Sequence, residues 1–96
     1  MILVQFHSEA EAELSEAASF YESRLVGLGT SFSAEVKTSV GFIRAYPDAG
    51  SPLGSKLRTV VIKRFPYSVI YRREEQIIYV VAVAHHRRRP GYWKGR

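Results

Sequence analysis

The run of residues 77–84 constrains this chain most, because it is apolar at every position except for the Tyr79 hydroxyl. A half-buried strand alternates apolar and polar side chains, whereas a continuous apolar run is typical of a strand covered on both faces. We therefore expect residues 77–84 to lie in the middle of a sheet. A dense cationic and aromatic cluster follows at once, in the order His85, His86, Arg87, Arg88, Arg89, Pro90, Gly91, Tyr92 and Trp93.

The charge of the chain is divided unevenly between its two halves. The net charge is +5 over 96 residues. Residues 1–55 hold three basic and seven acidic side chains, a net charge of −4, whereas residues 56–96 hold eleven basic and two acidic ones, a net charge of +9. This division favours a polyanionic or strongly acidic partner for the C-terminal half. The alternative is that the arginines only lie on a solvent-exposed face of the sheet and bind no partner.

A strand and a helix are predicted at the start of the chain. Residues 1–6 are short, β-branched and apolar, as in a first strand. Ser8 and Glu11 have the spacing of a capping box, which predicts a helix from Ser8 to near Val26. The apolar stripe of this helix is Ala10, Leu14, Ala17, Tyr21 and Leu25.

A second helix is predicted after the glycines at 27 and 29, and it would form an antiparallel hairpin with the first. Thr30 or Ser31 is the predicted cap. Pro47 ends this helix because proline cannot donate to the helical hydrogen-bond ladder. The apolar stripe of the second helix is Phe32, Val36, Val40 and Ile43.

The pattern changes from helical to alternating at Lys56. Residues 48–55 are predicted to form a loop, and residues 57–62 and 67–72 alternate as strands do, with turns at 63–66 and 73–76. With the run 77–84 this gives a three-stranded antiparallel meander. We predict a single domain over residues 1–96 of the α+β class, with the order β-α-α-β-β-β and a two-helix hairpin packed on a small, mainly antiparallel sheet.

Several kinds of site are disfavoured. The chain has no cysteine, which removes disulfides and thiolate zinc sites. His85 and His86 are adjacent on or just past a strand, so they point to opposite faces and do not share a metal ion easily. Neither a nucleophile elbow nor a glycine-rich phosphate loop is present. We expect no metal and no cofactor. Because no apolar run approaches about 18 residues, we also expect a cytoplasmic protein without a membrane partner.

The sequence does not exclude metal-free acid–base catalysis. A histidine that titrates near neutrality, an arginine that holds phosphate and a tyrosine hydroxyl could together drive attack of a ribose 2′-hydroxyl on its own phosphate. The candidates are His86, Arg88 and Tyr92. The alternative is binding without chemistry, in which the arginines pair with an acidic partner and Tyr92 packs the C-terminal tail onto the domain.

The order of these elements and their residues resembles the RelE/ParE superfamily of toxins from bacterial type II toxin–antitoxin systems. The resemblance spans nearly the whole chain. It is carried by residues 4–23, Leu28, Gly29, Phe32, Pro47, Leu57, Arg58, residues 65–67 and 70–72, residues 82–85, Arg88, Pro90, Tyr92 and Trp93. The resemblance implies a cytoplasmic toxin that halts growth when free and is silenced in a hetero-oligomer with a cognate antitoxin. Its target would be DNA gyrase in the ParE-like branch, or mRNA on the ribosome in the RelE-like branch.

Departures from the nuclease pattern favour the ParE-like branch. RelE-like nucleases carry an arginine in the middle strand where this chain has Ser68, and a second arginine after the last strand where it has His86. Tyr92 matches the C-terminal tyrosine of those nucleases. A third reading is an inactive relic that only binds antitoxin. The predicted contacts for target or antitoxin are Arg58, Lys63, Arg64, Arg72, His85, Arg87, Arg89 and Trp93.

Overall fold

Two helices cover one face of a five-stranded sheet in the computed structural model, which describes residues 2–96. The strand order is β1-β5-β4-β3-β2, and every neighbouring pair is antiparallel except β1 with β5. The elements are β1 (Leu3–Phe6), α1 (Ser8–Arg24), α2 (Leu28–Ala45), β2 (Ser51–Leu53), β3 (Leu57–Val61), β4 (Tyr67–Glu74) and β5 (Ile77–His85). The predicted α+β fold is confirmed, with one strand more than the sequence indicated. Neither helix is long and apolar enough to cross a membrane.

Strand β5 is buried on both faces, as its continuous apolar run predicted. It pairs with β1 on one side and with β4 on the other. Tyr71 pairs with Val80 and Ile70 with Ala82, so Val81 is an extra residue in a β-bulge. The bulge turns both Val81 and Ala82 away from the helices, whereas Val80 packs in the helix-side core.

Each face of the sheet therefore has its own apolar cluster. The helix-side cluster includes the predicted α2 stripe, in which Phe32, Val36 and Ile43 are buried. The other face, which we call the helix-free face, has no helix on it. Its buried residues are Ile70, Val81, Ala82 and Ala84, and the residues packed against them are Leu53, Leu57, Tyr79, Tyr92 and Trp93.

The predicted end points of the first helix need correction. Helix α1 is capped by His7, whose Nδ1 accepts a hydrogen bond from the Glu9 N–H at 3.0 Å, so the capping box predicted at Ser8 does not form. The helix ends at Arg24 because Leu25 is extended, and the Leu25 side chain is 63% exposed instead of joining the apolar stripe. The first strand is Leu3–Phe6, and Met1 lies outside the described residues.

The predicted cap of the second helix is also wrong. Helix α2 begins at Leu28 with Gly27 as its cap residue, not at Thr30 or Ser31. The Glu22 carboxylate of α1 accepts hydrogen bonds from the Gly27 N–H at 2.8 Å and the Gly29 N–H at 2.9 Å. These bonds, the one from Gly27 foremost, lower the pKa of the Glu22 carboxyl below its usual value. A side chain from the preceding helix therefore replaces a local cap.

Part of the predicted loop at 48–55 is a strand. Strand β2 pairs with β3 through Ser51 with Thr59 and Leu53 with Leu57. Pro52 lies within β2. Proline is tolerated there because β2 is an edge strand, in which some N–H groups have no ladder partner. The predicted turn at 73–76 is shorter than expected, since β4 continues to Glu74.

The segment between α2 and β2 is held by a buried phenol. The Tyr71 hydroxyl donates to the Pro47 carbonyl at 2.7 Å and accepts from the Gly50 N–H at 3.1 Å. A Cβ at Gly50 would lie 2.6 Å from that hydroxyl, so only glycine fits there. Arg58 completes the contact, because its guanidinium donates to the carbonyls of Asp48 at 3.0 Å and Gly50 at 2.8 Å.

Tyr71→Phe should destabilise the fold by about 1–3 kcal/mol, because it leaves the Gly50 N–H and the Pro47 carbonyl without their buried partner. In a domain of this size each kcal/mol lowers Tm by about 4–8 °C. The matched control is Tyr46→Phe, which removes the same hydroxyl from a side chain that is 62% exposed. Equal Tm values for the two variants in thermal unfolding would contradict this role of Tyr71.

Candidate functional site

Strand β5 extends beyond its parallel partner, and two side chains complete its open edge. Strand β1 pairs only with Ile77–Val80. Past that point the Glu13 carboxylate accepts from the Val83 N–H at 3.0 Å, and the Arg96 guanidinium donates to the Val81 carbonyl at 3.1 Å. Glu13 and Arg96 also bind each other through two bonds of 3.1 Å, with side chains only 11% and 14% exposed. We call this arrangement the Glu13–Arg96 clamp.

The clamp holds the C-terminal segment, residues 90–96, over the helix-free face. The Arg96 carbonyl accepts from the Arg72 guanidinium at 3.2 Å. The rings of Tyr92 and Trp93 meet edge to face with centroids 5.2 Å apart. The Arg88 guanidinium lies 3.9 Å from the centre of the Tyr92 ring, a cation–π contact. The segment that follows the last strand is therefore packed against the sheet.

The Tyr92 hydroxyl is enclosed by this packing. It is buried and makes no hydrogen bond within residues 2–96, although the Glu13 carboxylate lies beside it. Burial raises the pKa of Tyr92 far above its ordinary value; Glu13 acts in the same direction, while Arg88 and Arg96 oppose it. The phenol hydroxyl is therefore shielded from solvent by the packing of the C-terminal segment.

His86 forms its hydrogen bonds with Ser68 and Pro66. Its Nε2 lies 2.9 Å from the Ser68 Oγ, and its backbone N–H donates to the Pro66 carbonyl at 2.9 Å. Ser68 is buried at 9% exposure. The two positions at which the nuclease pattern has arginines thus hold a histidine and a serine that are hydrogen-bonded to each other.

His85 packs on the helix side of the sheet. Its ring meets the Tyr67 ring at 4.9 Å, and its Nδ1 accepts from the Arg87 N–H at 3.0 Å. His85 and Arg88 line a cavity of about 210 Å³ between α1 and β5. His86 and Tyr92 are not among the residues that line this cavity. The structure therefore brings the predicted residues Arg88 and Tyr92 into contact and places His86 with Ser68.

Three of the predicted binding arginines have intramolecular partners. Arg58 holds the segment before β2, as described above. Arg64 pairs with Glu35 at 3.6 Å. Arg72 pairs with Glu74, and its guanidinium lies 4.3 Å from the centre of the Tyr79 ring. Exposed cations remain at the predicted positions Lys63, Arg87 and Arg89.

Arg72 and Trp93 meet at a second concavity, of about 640 Å³, on the helix-free face. It lies between the turn that joins β2 to β3 and the C-terminal segment, and we call it the tail groove. Its apolar lining includes Leu53, Leu57, Val81 and Trp93, and its cationic lining is Lys56, Arg72, Lys94 and Arg96. Sequence reasoning missed Lys56, Lys94, Arg96 and Glu13 as site residues, because no local pattern connects positions so far apart in the chain.

Comparison with known proteins decides the family. A family model described as "ParE toxin of type II toxin-antitoxin system, parDE" matches residues 4–90. The chain belongs to this ParE toxin family. The superfamily resemblance and the assignment to type II toxin–antitoxin systems are confirmed. A comparison with curated protein sequences finds no significant match.

The fold is similar to a solved structure described as "Chromosomal ParDE TA system from P. aeruginosa", with a TM-score of 0.74 and 21% sequence identity. The match covers 88% of this chain and 96% of the other one. At this identity the likeness establishes the ParE-type fold and leaves the target open.

Glu13→Gln should destabilise the protein by about 3 kcal/mol, because it leaves the buried Arg96 guanidinium without its opposite charge. Release of the C-terminal segment should also shift the fluorescence of Trp93. The control is Glu16→Gln, the same change at an exposed position of α1. Thermal unfolding and the emission spectrum measure both effects. Unchanged Tm and emission in Glu13→Gln would show that the clamp does not hold the segment.

Proposed function

We propose that this chain is a growth-inhibiting toxin that a cognate antitoxin neutralises, and that it acts by binding DNA gyrase instead of cutting mRNA. Membership of the ParE toxin family supports the toxin role. The preference for binding over mRNA cleavage rests on one observation above all, the burial of the Tyr92 hydroxyl.

A metal-free ribonuclease needs an acid and a base that exchange protons near neutral pH, and cations aimed at the scissile phosphate. In this chain the phenol that matches the nuclease tyrosine is buried with a raised pKa. The Arg88 guanidinium, which could hold phosphate, lies against the ring of the same Tyr92. Ser68 replaces the middle-strand arginine and is hydrogen-bonded to His86. These contacts favour a toxin that acts as a binding protein.

The exposed position of His86 supports a ribonuclease as the second candidate function. The His86 imidazole is exposed, and histidine is the side chain best suited to acid–base work at neutral pH. In that alternative His86 would act with Arg88 and Tyr92, and loss of any of the three would stop cleavage.

Expression of the free protein in a bacterial host should arrest growth, and His86→Ala and Tyr92→Phe should arrest it as strongly as the wild type. Tyr92→Phe should also fold normally, because Glu13 keeps its hydrogen bonds with Val83 and Arg96 when the hydroxyl is removed. With purified gyrase and supercoiled plasmid, the protein should accumulate cleaved DNA. Primer extension on cellular mRNA should show no new cleavage sites.

Three results would contradict this mechanism. New mRNA cleavage sites that disappear in His86→Ala would establish the nuclease. Arrest without cleaved DNA or cleaved mRNA would point to another target. Binding of the antitoxin with no growth arrest by the wild type would identify an inactive relic.

The antitoxin complex should weaken as salt rises. The +9 half carries exposed side chains such as Lys63, Arg87 and Arg89, which would attract an acidic antitoxin segment over several ångströms. Affinity should fall at least tenfold between 50 mM and about 500 mM salt, where screening shortens the range of the field. Calorimetric titration at both concentrations measures it. A salt-independent affinity would indicate a mainly apolar interface.

A further inference from the structure

The tail groove combines an apolar floor with a cationic rim. Leu53 and Leu57 of the β2–β3 hairpin face Trp93 of the C-terminal segment across Val81 of β5. These four side chains come from three separate parts of the chain. The groove is within the size range of about 300–1,000 Å³ that is usual for ligand-binding concavities.

The charged side chains around this floor are all positive. No aspartate or glutamate is among the described residues that line the groove. Arg72 and Arg96 of the lining already pair with Glu74 and Glu13. Lys56 and Lys94 are exposed, and within residues 2–96 neither forms an ion pair. The groove thus offers two ammonium groups to an acidic occupant.

The walls of the groove are held in place before anything binds. The Glu13–Arg96 clamp fixes the end of the C-terminal wall, and Arg72 binds the Arg96 carbonyl from the sheet. The opposite wall belongs to the β2–β3 hairpin, whose strands pair through Leu53 and Leu57. A preformed wall lowers the ordering cost of binding.

We propose that the tail groove binds a short, acidic, extended segment of the toxin's target protein. One large apolar side chain of that segment packs on Trp93, and flanking carboxylates meet Lys56 and Lys94. The proposal rests on the proposed function, in which the toxin acts by binding a protein. Three of the four apolar side chains, Leu53, Leu57 and Val81, are aliphatic, which suits an apolar protein side chain better than successive nucleic-acid bases, since each base would need a ring to stack on. A concavity of about 640 Å³ suits a short segment.

Binding of an acidic segment can be measured directly through the fluorescence of Trp93, because Trp93 is the only tryptophan in the chain. The probe is an eight-residue peptide of glutamates around one central phenylalanine, titrated into the full-length protein while Trp93 emission is recorded. We expect a saturable change and an affinity at least tenfold higher than for two control peptides. One control has lysines in place of the glutamates, and the other has alanine in place of the phenylalanine.

Two results of the titration would overturn the proposal. The first is an emission that does not respond to the acidic peptide. The second is a twelve-residue oligothymidylate that binds more tightly than the peptide and displaces it, which would make the groove a nucleic-acid site.

A growth-arrest assay tests whether the acidic segment that binds the groove belongs to the target protein. Lys56→Glu/Lys94→Glu reverses the charge of the groove, and Lys37→Glu/Arg44→Glu makes the same change in net charge at exposed positions of α2. The groove variant should lose growth arrest at least tenfold, measured by colony formation, and still bind antitoxin. The α2 variant should behave as the wild type does. Circular dichroism and Tm check that both variants fold.

These outcomes test the groove proposal and the proposed function separately. Full growth arrest by the groove variant overturns the target site, and arrest that persists while antitoxin binding is lost assigns the groove to the antitoxin instead. If the wild type does not arrest growth, the proposed function fails, and the claim that the groove serves target binding fails with it. The peptide titration still decides whether the groove recognises acidic segments.

Discussion

The organisation of this toxin depends on how the open edge of β5 is satisfied. Strand β1 covers only the first part of that edge, and an uncovered row of backbone groups is both unpaired and a template for aggregation. Glu13 of α1 and Arg96 of the C-terminal segment take the place of the missing strand, one accepting from Val83 and the other donating to Val81. Because they also neutralise each other, two charges can lie almost buried at the edge of the core.

This single clamp connects both faces of the sheet. Glu13 belongs to the helical hairpin that covers one face, while Arg96 ends the segment that lies over the other. The segment buries the Tyr92 hydroxyl, and its Trp93 side chain forms one wall of the tail groove. The packing that weakens the case for a nuclease is therefore the same packing that forms a binding surface.

The sequence predicted those parts of the fold that follow from local pattern. The unbroken apolar run in β5 required cover on both faces, and the stripe from Phe32 to Ile43 identified the buried side of α2. Prediction failed where the hydrogen-bond partner belongs to a different helix or strand. Glu22 caps the following helix, and the pairing partner of Pro52 is a strand that follows it in the chain. Local propensity contains no information about either contact.

The sequence by itself determined the α+β class, the two-helix hairpin, the central strand and the concentration of positive charge after residue 56, because periodicity and composition are properties of neighbouring residues. Only the tertiary structure decided which cations are free. Arg58, Arg64 and Arg72 are as basic in sequence as Lys56 and Lys94, yet each of the three arginines has a partner within the chain, whereas the two lysines line a groove and form no ion pair within residues 2–96. The sequence determines the charge of each side chain, but the fold determines which charged side chains are paired within the molecule.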